Sequence, residues 1–302
     1  MTIDLDGARD FVATHARILD RRRLGLLLGD DDRSAVLAAL DAYHNLDGGY
    51  GWGLESDLRS TESQPGPALH AFEVFAEVGP LTTPRSAELC DWLGSISLPD
   101  GGVPFSLPIE NDAGCAPWWA GGDGRTSSLQ ITAIVAANAH RVERHDPVVR
   151  NHPWLAAATA YCAAAIRNLE ESAHAYELAF AAQFLDAAGN AVADAPALRD
   201  RVARHIPGDG VVRVQGGTEN EALRALDFAP LPGGPMRETF DPDVIASELR
   251  RLEQQQQEDG GWPYEPRTFS PASALEWRGY VTVRAVWILK SNEGGIVPGG
   301  EG

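Results

Sequence analysis

Apolar residues along this 302-residue chain recur at helical spacing, and almost nowhere do they alternate as a half-buried strand requires. Val36, Leu37, Leu40, Tyr43 and His44 fall on one helical stripe behind a capping acid at Asp31 or Asp32. Thr83-Pro84, a cap followed by proline at the first helical position, precedes the stripe Leu89, Trp92, Leu93 and Ile96. Asp241-Pro242 repeats that device ahead of Ile245, Leu249 and Leu252. Each stripe predicts an outer helix, and each is followed by a segment that is apolar on more than one side. These second segments, 64–78, 126–141, 218–228 and 274–290, are expected to be the more buried inner helices, as Ile131, Ile134 and Val135 illustrate. A degenerate pair is expected at 153–168 and 172–187, and an extra helix at 6–20. The pattern predicts six inner helices, five outer ones and almost no strand.

The turns between the helices of each pair repeat. LDGGYGW (46–52), PDGGVPF (99–105), GDGVVRV (208–214) and EDGGWPY (258–264) align without gaps. Their aspartates stand at 47, 100, 209 and 259, so the intervals are 53, 109 and 50 residues, the long one spanning the degenerate copy. The match reaches back into the preceding helices. Leu40-x3-His44-x3-Gly48-x-Tyr50 corresponds to Leu93-x3-Ser97-x3-Gly101-x-Val103, to Val202-x3-Ile206-x3-Gly210-x-Val212 and to Leu252-x3-Gln256-x3-Gly260-x-Trp262. Glycine after the aspartate stops each helix, since a left-handed residue is tolerated there. Helix pairs repeating at about 50 residues stack as a solenoid or close into a ring.

The charge balance narrows the partners. A net charge of −18 leaves little basic surface for phosphate, which argues against nucleic acid and against an anionic membrane surface. No apolar run is long enough for a signal peptide or a bilayer span, so no stable membrane insertion is expected. Three scattered cysteines, Cys90, Cys115 and Cys162, suit a reducing compartment, and the expected location is cytoplasmic.

The fourth copy, Leu252-x3-Gln256-x3-Gly260-x-Trp262, resembles the glutamine–tryptophan (QW) repeat of squalene–hopene cyclases and related terpenoid cyclases; prenyltransferase β subunits share the repeat class. The resemblance implies an all-α fold, a single α/α toroid of five to six helix pairs over residues 1–290 with 291–302 as a tail. It implies an apolar small-molecule ligand, an isoprenoid or similar, held in a central cavity and cyclised or isomerised there. It also marks His44, in the glutamine slot, as a scaffold residue. The family's acid motif, Asp-x-Asp-Asp at the start of an inner helix, is missing; Asp30-Asp31-Asp32 precedes an outer helix and reads as a cap. Neither an aspartate cluster for magnesium diphosphate nor a zinc set is present, Asp112-x-x-Cys115 having the wrong spacing. No cofactor and no metal are therefore expected.

What does not repeat is where a specific function can be grafted. Trp52 closes the first turn and Glu55, Asp57, Arg59 and Gln64 follow it, and an insertion at 106–124 carries Trp118, Trp119, Asp123 and Arg125. His174 and Tyr176 open the degenerate inner helix, while Glu276, Trp277, Arg278 and Tyr280 lie on the last one. Glu55, Asp57 and Glu276 are the candidate acids and the others candidate ligand contacts. Three readings stay open on these residues. One is an isomerase-type enzyme with an atypical acid; the second is a non-catalytic toroid that binds a hydrophobic ligand or a partner; the third is a carbohydrate-active toroid with paired carboxylates.

Overall fold

The computed structural model describes residues 3–30 and 32–293. The chain is all-α in character: the only strands among the described residues are Val212–Arg213 and Ala222–Leu223, an antiparallel pair. It divides into two compact units, residues 40–206 and residues 1–39 with 207–302.

In the unit 40–206 the inner helices are Pro65–Glu77, Leu129–Val142 and Ala175–Ala188, and Leu129–Val142 packs against both of the others. Small side chains explain the close fit, because Ala133, Ala136, Ala137, Ala181 and Ala182 are fully buried along these helices. The outer helices Pro84–Ile96, Pro153–Arg167 and Ala195–Ala203 each begin with proline in the first turn. Thr83 and His152 cap the first two of these by accepting from the backbone N–H of Arg85 and Trp154.

The repeated turns are one hydrogen-bonded device used again and again. Asp47 Oδ1 accepts from Gly49 N at 3.0 Å and from Ser63 Oγ at 2.7 Å. Asp100 Oδ1 accepts from Gly102 N at 3.1 Å and from Ser127 Oγ at 2.6 Å. Gly48 and Gly101 both have φ of 90°. A Cβ on Gly48 would lie 2.8 Å from the Glu88 carbonyl oxygen, and one on Gly101 2.7 Å from that of Ala157. Each turn thus rests on the outer helix of the following repeat. The degenerate copy, which has no glycine, keeps the contact another way: the Arg201 guanidinium donates to the Leu169 carbonyl.

The unit of residues 1–39 and 207–302 is built on Leu5–His15, Ile18–Leu28, Pro242–Gln254 and Pro271–Glu293. Phe11, Val12, Leu24, Trp262, Val283, Val286 and Leu289 form its core. The complete glutamine–tryptophan copy is an anchor here. Gln256 Oε1 accepts from Asp4 N at 2.8 Å, while its Nε2 donates to the carbonyls of Asp4 and Gly260 at 2.7 and 2.9 Å. Trp262 donates through Nε1 to the Leu252 carbonyl and through its backbone N–H to Thr282 Oγ1. Gly260, at φ 88°, comes so close to Gly7 that a Cβ would lie 2.0 Å from the Gly7 carbonyl oxygen.

Three expectations on element boundaries need correction. The inner helix expected at 218–228 is instead the second strand of a short hairpin, Ala222–Leu223, followed by the single turn Ala225–Phe228; the chain turns back at Gly216, at φ 76°, and Gly217, just ahead of the segment. The expected helix at 6–20 breaks at Ala16, which is extended and tucked against Gly279; a second helix, Ile18–Leu28, then follows. The last helix runs to Glu293, three residues into the expected tail, and residues 294–302 lie outside the described residues. Of the three adjacent acids, Asp32 caps helix Arg33–Leu40 through Ala35 N at 2.7 Å and Asp30 pairs with Arg9, whereas Asp31 lies outside the described residues.

Candidate functional site

The insertion at 106–124 is held to its unit by hydrogen bonds at several points, among them one from Glu110 N to Glu62 Oε1. Gln64, fully buried at the start of its helix, accepts from Leu107 N at 2.8 Å and donates to the Leu107 carbonyl at 3.3 Å. Further along, Ala116 N donates to the Asp57 carbonyl at 2.8 Å. Just past the last of these clamps the turn Pro117–Ala120 sends its two tryptophans in different directions. Trp119 is buried, stacks on Phe105 with ring centroids 4.5 Å apart, and lies so close to Gly66 that a Cβ there would sit 2.9 Å from the indole. Trp118 is 47% exposed.

Trp118 walls a cleft of about 520 Å³. Pro104, Phe105 and Pro117 continue its apolar surface, and Ser106, Thr126, Ser127 and Ser128 add hydroxyls. Two carboxylates, Asp123 and Glu177, complete the lining. Asp123 Oδ1 accepts from Arg125 N at 2.9 Å, and Glu177 Oε2 accepts from His174 N at 3.0 Å, so backbone N–H groups fix both. An aromatic wall with a few convergent polar groups is the ordinary composition of a small-molecule site.

A second polar cluster is buried in the same unit. The loop from Gly53 to Ser60 turns inward, leaving Glu55 4% and Asp57 3% exposed. His70, on helix Pro65–Glu77, bridges two carboxylates: Nε2 lies 3.1 Å from Glu55 Oε2 and Nδ1 3.1 Å from Glu73 Oε2. Burial by itself pushes the imidazole pKa down, but its hydrogen bonds to Glu55 and then Glu73, with the charges of both, outweigh it and bring the value up to about 9. At neutral pH His70 is therefore an imidazolium that donates from both ring nitrogens. Glu55 Oε1 also accepts from Asp57 N at 3.2 Å, which fastens the loop. His70 was not among the candidates; its signal in PGPALHAFEVF is a lone titratable side chain in an apolar helix, with Glu73 three residues on.

The candidates divide between these settings. Trp118 and Asp123 line the cleft, Glu177 joins them, and Trp119 supports the wall from beneath. Glu55, Asp57, Arg59 and Gln64 do not line it; the first, second and fourth are buried and Arg59 is exposed. Trp52 is 55% exposed at a left-handed φ of 57°, with Nε1 donating to Asn45 Oδ1 at 2.8 Å. Arg125 is exposed outside the lining, and His174 and Tyr176, stacked at 5.8 Å, form the helix cap beside Glu177.

The remaining candidates belong to the other unit. There Arg278 grips Asp259 with two contacts of 2.8 Å and lies over the Phe11 ring, which is scaffold work for the fourth turn. Trp277 stacks on Tyr264 at 4.8 Å and meets Tyr280 edge-on at 5.5 Å, while Glu276 is half-buried on the same helix. Among the described residues no three side chains of His, Cys, Asp or Glu are grouped so as to hold a metal ion. Among the same residues no helix is long and apolar enough to cross a membrane. The chain matches no protein-family model and no curated protein.

Proposed function

We propose that this chain is a small-molecule-binding helical repeat protein of the terpenoid-cyclase type, and that its ligand lies along Trp118 in the cleft of the unit 40–206. The ligand class is an isoprenoid or another small molecule with an extended apolar face. The observation that carries this reading is a tryptophan left 47% exposed inside a cleft of about 520 Å³ while its neighbour Trp119 is locked beneath it. Covering the exposed part of that indole would stabilise a complex by about 2 kcal/mol through apolar burial.

Binding without turnover is the form of this reading that the cleft favours. Cyclisation needs a carbocation kept from water, and a rim of Ser127, Ser128, Thr126 and Asp123 is open to solvent. None of the three expected acids lines the cleft: Glu55 and Asp57 are buried elsewhere in the same unit, and Glu276 belongs to the other unit. The toroid implied by the repeat belongs to the same proposal, and the docking of Gln256 and Gly260 on Asp4 and Gly7 supports it. So does a cytoplasmic location, with three free cysteines in support.

Titration with geraniol, followed by tryptophan fluorescence, tests the reading. Saturable quenching that disappears in Trp118→Ala, with the melting temperature unchanged, is expected. Equal quenching in both proteins, or none in either, would refute it.

A further inference from the structure

We infer that the cleft beside Trp118 selects a ligand bearing a positive charge, an alkylammonium head on an apolar body; this rests on the cleft being the ligand site. Both charged side chains that line it, Asp123 and Glu177, are carboxylates, and no described residue in the lining is basic. Arg125 is only two residues from Asp123, yet it is exposed outside the lining. Each carboxylate has one oxygen held by a backbone N–H, Oδ1 of Asp123 and Oε2 of Glu177, and these bonds fix the groups without neutralising them.

The wall of the cleft acts in the same direction. The face of an exposed indole carries negative electrostatic potential and attracts a cation. Trp118 lines the same cleft as the two carboxylates, and Phe105 in that lining adds apolar surface for the body of the ligand. Ser127 Oγ donates to Asp100 Oδ1, so towards the cleft it offers lone pairs, which suit an N–H donor. A phosphate or carboxylate head would meet two like charges and no guanidinium or ammonium, a juxtaposition that rejects wrong partners. The net charge of −18 adds a long-range field of the same sign. An alcohol of the same chain length would gain the apolar contact alone.

Calorimetric titration at pH 7 and low salt with geranylamine, geraniol and geranyl phosphate separates these cases. The amine is expected to bind at least tenfold more tightly than the alcohol, and the phosphate more weakly than either. The preference should fall below threefold in the double variant Asp123→Asn/Glu177→Gln, which keeps an amide oxygen for each backbone N–H. If the double variant melts early, the single variants must each show a partial loss of preference. Equal binding of amine and alcohol would overturn the inference while leaving the cleft a ligand site. Tightest binding of the phosphate would also overturn it. Failure of all three probes to bind would overturn both this inference and the reading on which it rests.

Discussion

Asp47 and Glu55 are carboxylates eight residues apart in one connection, and the structure treats them in opposite ways. Asp47 accepts from a backbone N–H and from Ser63 in a half-exposed turn, an arrangement repeated at Asp100. Glu55 has no counterpart in the other copies; it is buried against a protonated histidine that also faces Glu73. In all four copies the repeated acid accepts from the backbone N–H two residues on, so that part of its neighbourhood could be reproduced along the chain. The second partner is a serine at Asp47 and Asp100 and Arg278 at Asp259. The unrepeated acid depends on one residue of one helix. Similarity between copies therefore marks parts that are individually modest, and the largest local dependence lies where the copies differ.

Removing His70 should give the largest effect. His70→Leu leaves Glu55 buried beside Glu73 without its counter-charge, and breaking a buried pair in this way costs about 3–5 kcal/mol. Urea unfolding at pH 7 measures it, and a loss below about 1 kcal/mol would mean that the cluster is more hydrated than its 4% exposure indicates. The pH dependence sharpens the same point. The folded pKa of His70 is raised to about 9 from 6.5, so its contribution is fully present below about pH 6.5 and is lost as pH rises through 9. Unfolding midpoints between pH 6 and pH 10 should fall in the native chain, and this component of the fall should be absent in His70→Leu.

Next in size comes the turn glycine with the tightest surroundings. Gly260→Ala places a methyl against the Gly7 carbonyl at a left-handed φ of 88°, and backbone strain with overpacking together should cost about 2–4 kcal/mol. Gly29 has nearly the same φ, 83°, with no atom near its would-be Cβ, so Gly29→Ala should cost only about 1 kcal/mol. Equal losses in the two variants would show that conformation alone, without the docking contact, sets the requirement for glycine.

The smallest effect is expected at the repeated acid itself. Asp47→Ala removes one turn bond and one hydroxyl contact, which should lower stability by about 1 kcal/mol and leave ligand binding intact. Loss of binding in Asp47→Ala at an unchanged melting temperature would reverse the roles assigned to the two halves of this connection.

The same contrast explains what could be read from the sequence. Prolines behind Thr83 and Asp241, glycines after the aspartates and the apolar stripes placed the helices Pro84–Ile96, Pro242–Gln254, Pro65–Glu77 and Leu129–Val142 within a few residues. Local rules govern those positions. The segment 218–228 defeated them because its apolar residues have helical spacing while Gly216 and Gly217 favour a hairpin. At the cleft, Trp118 and Asp123 stood out because the insertion breaks the repeat. Glu177 stands next to the candidate Tyr176, and its capping role and its place in the lining coincide on one side chain. The inward turn of Glu55 was not visible, because it depends on His70, fifteen residues away on a helix that reads as plain core.

The central claim is that ligand binding centres on the unrepeated insertion, with the end of the second turn beside it, and not on the turns at 46–50 and 258–262. Hydrogen–deuterium exchange with and without saturating geraniol tests it most directly. New protection is predicted in 104–106 and 117–128 and around Glu177, with 46–50 and 258–262 unchanged. Protection confined to the repeated turns, with the segment around Trp118 exchanging as before, would contradict it.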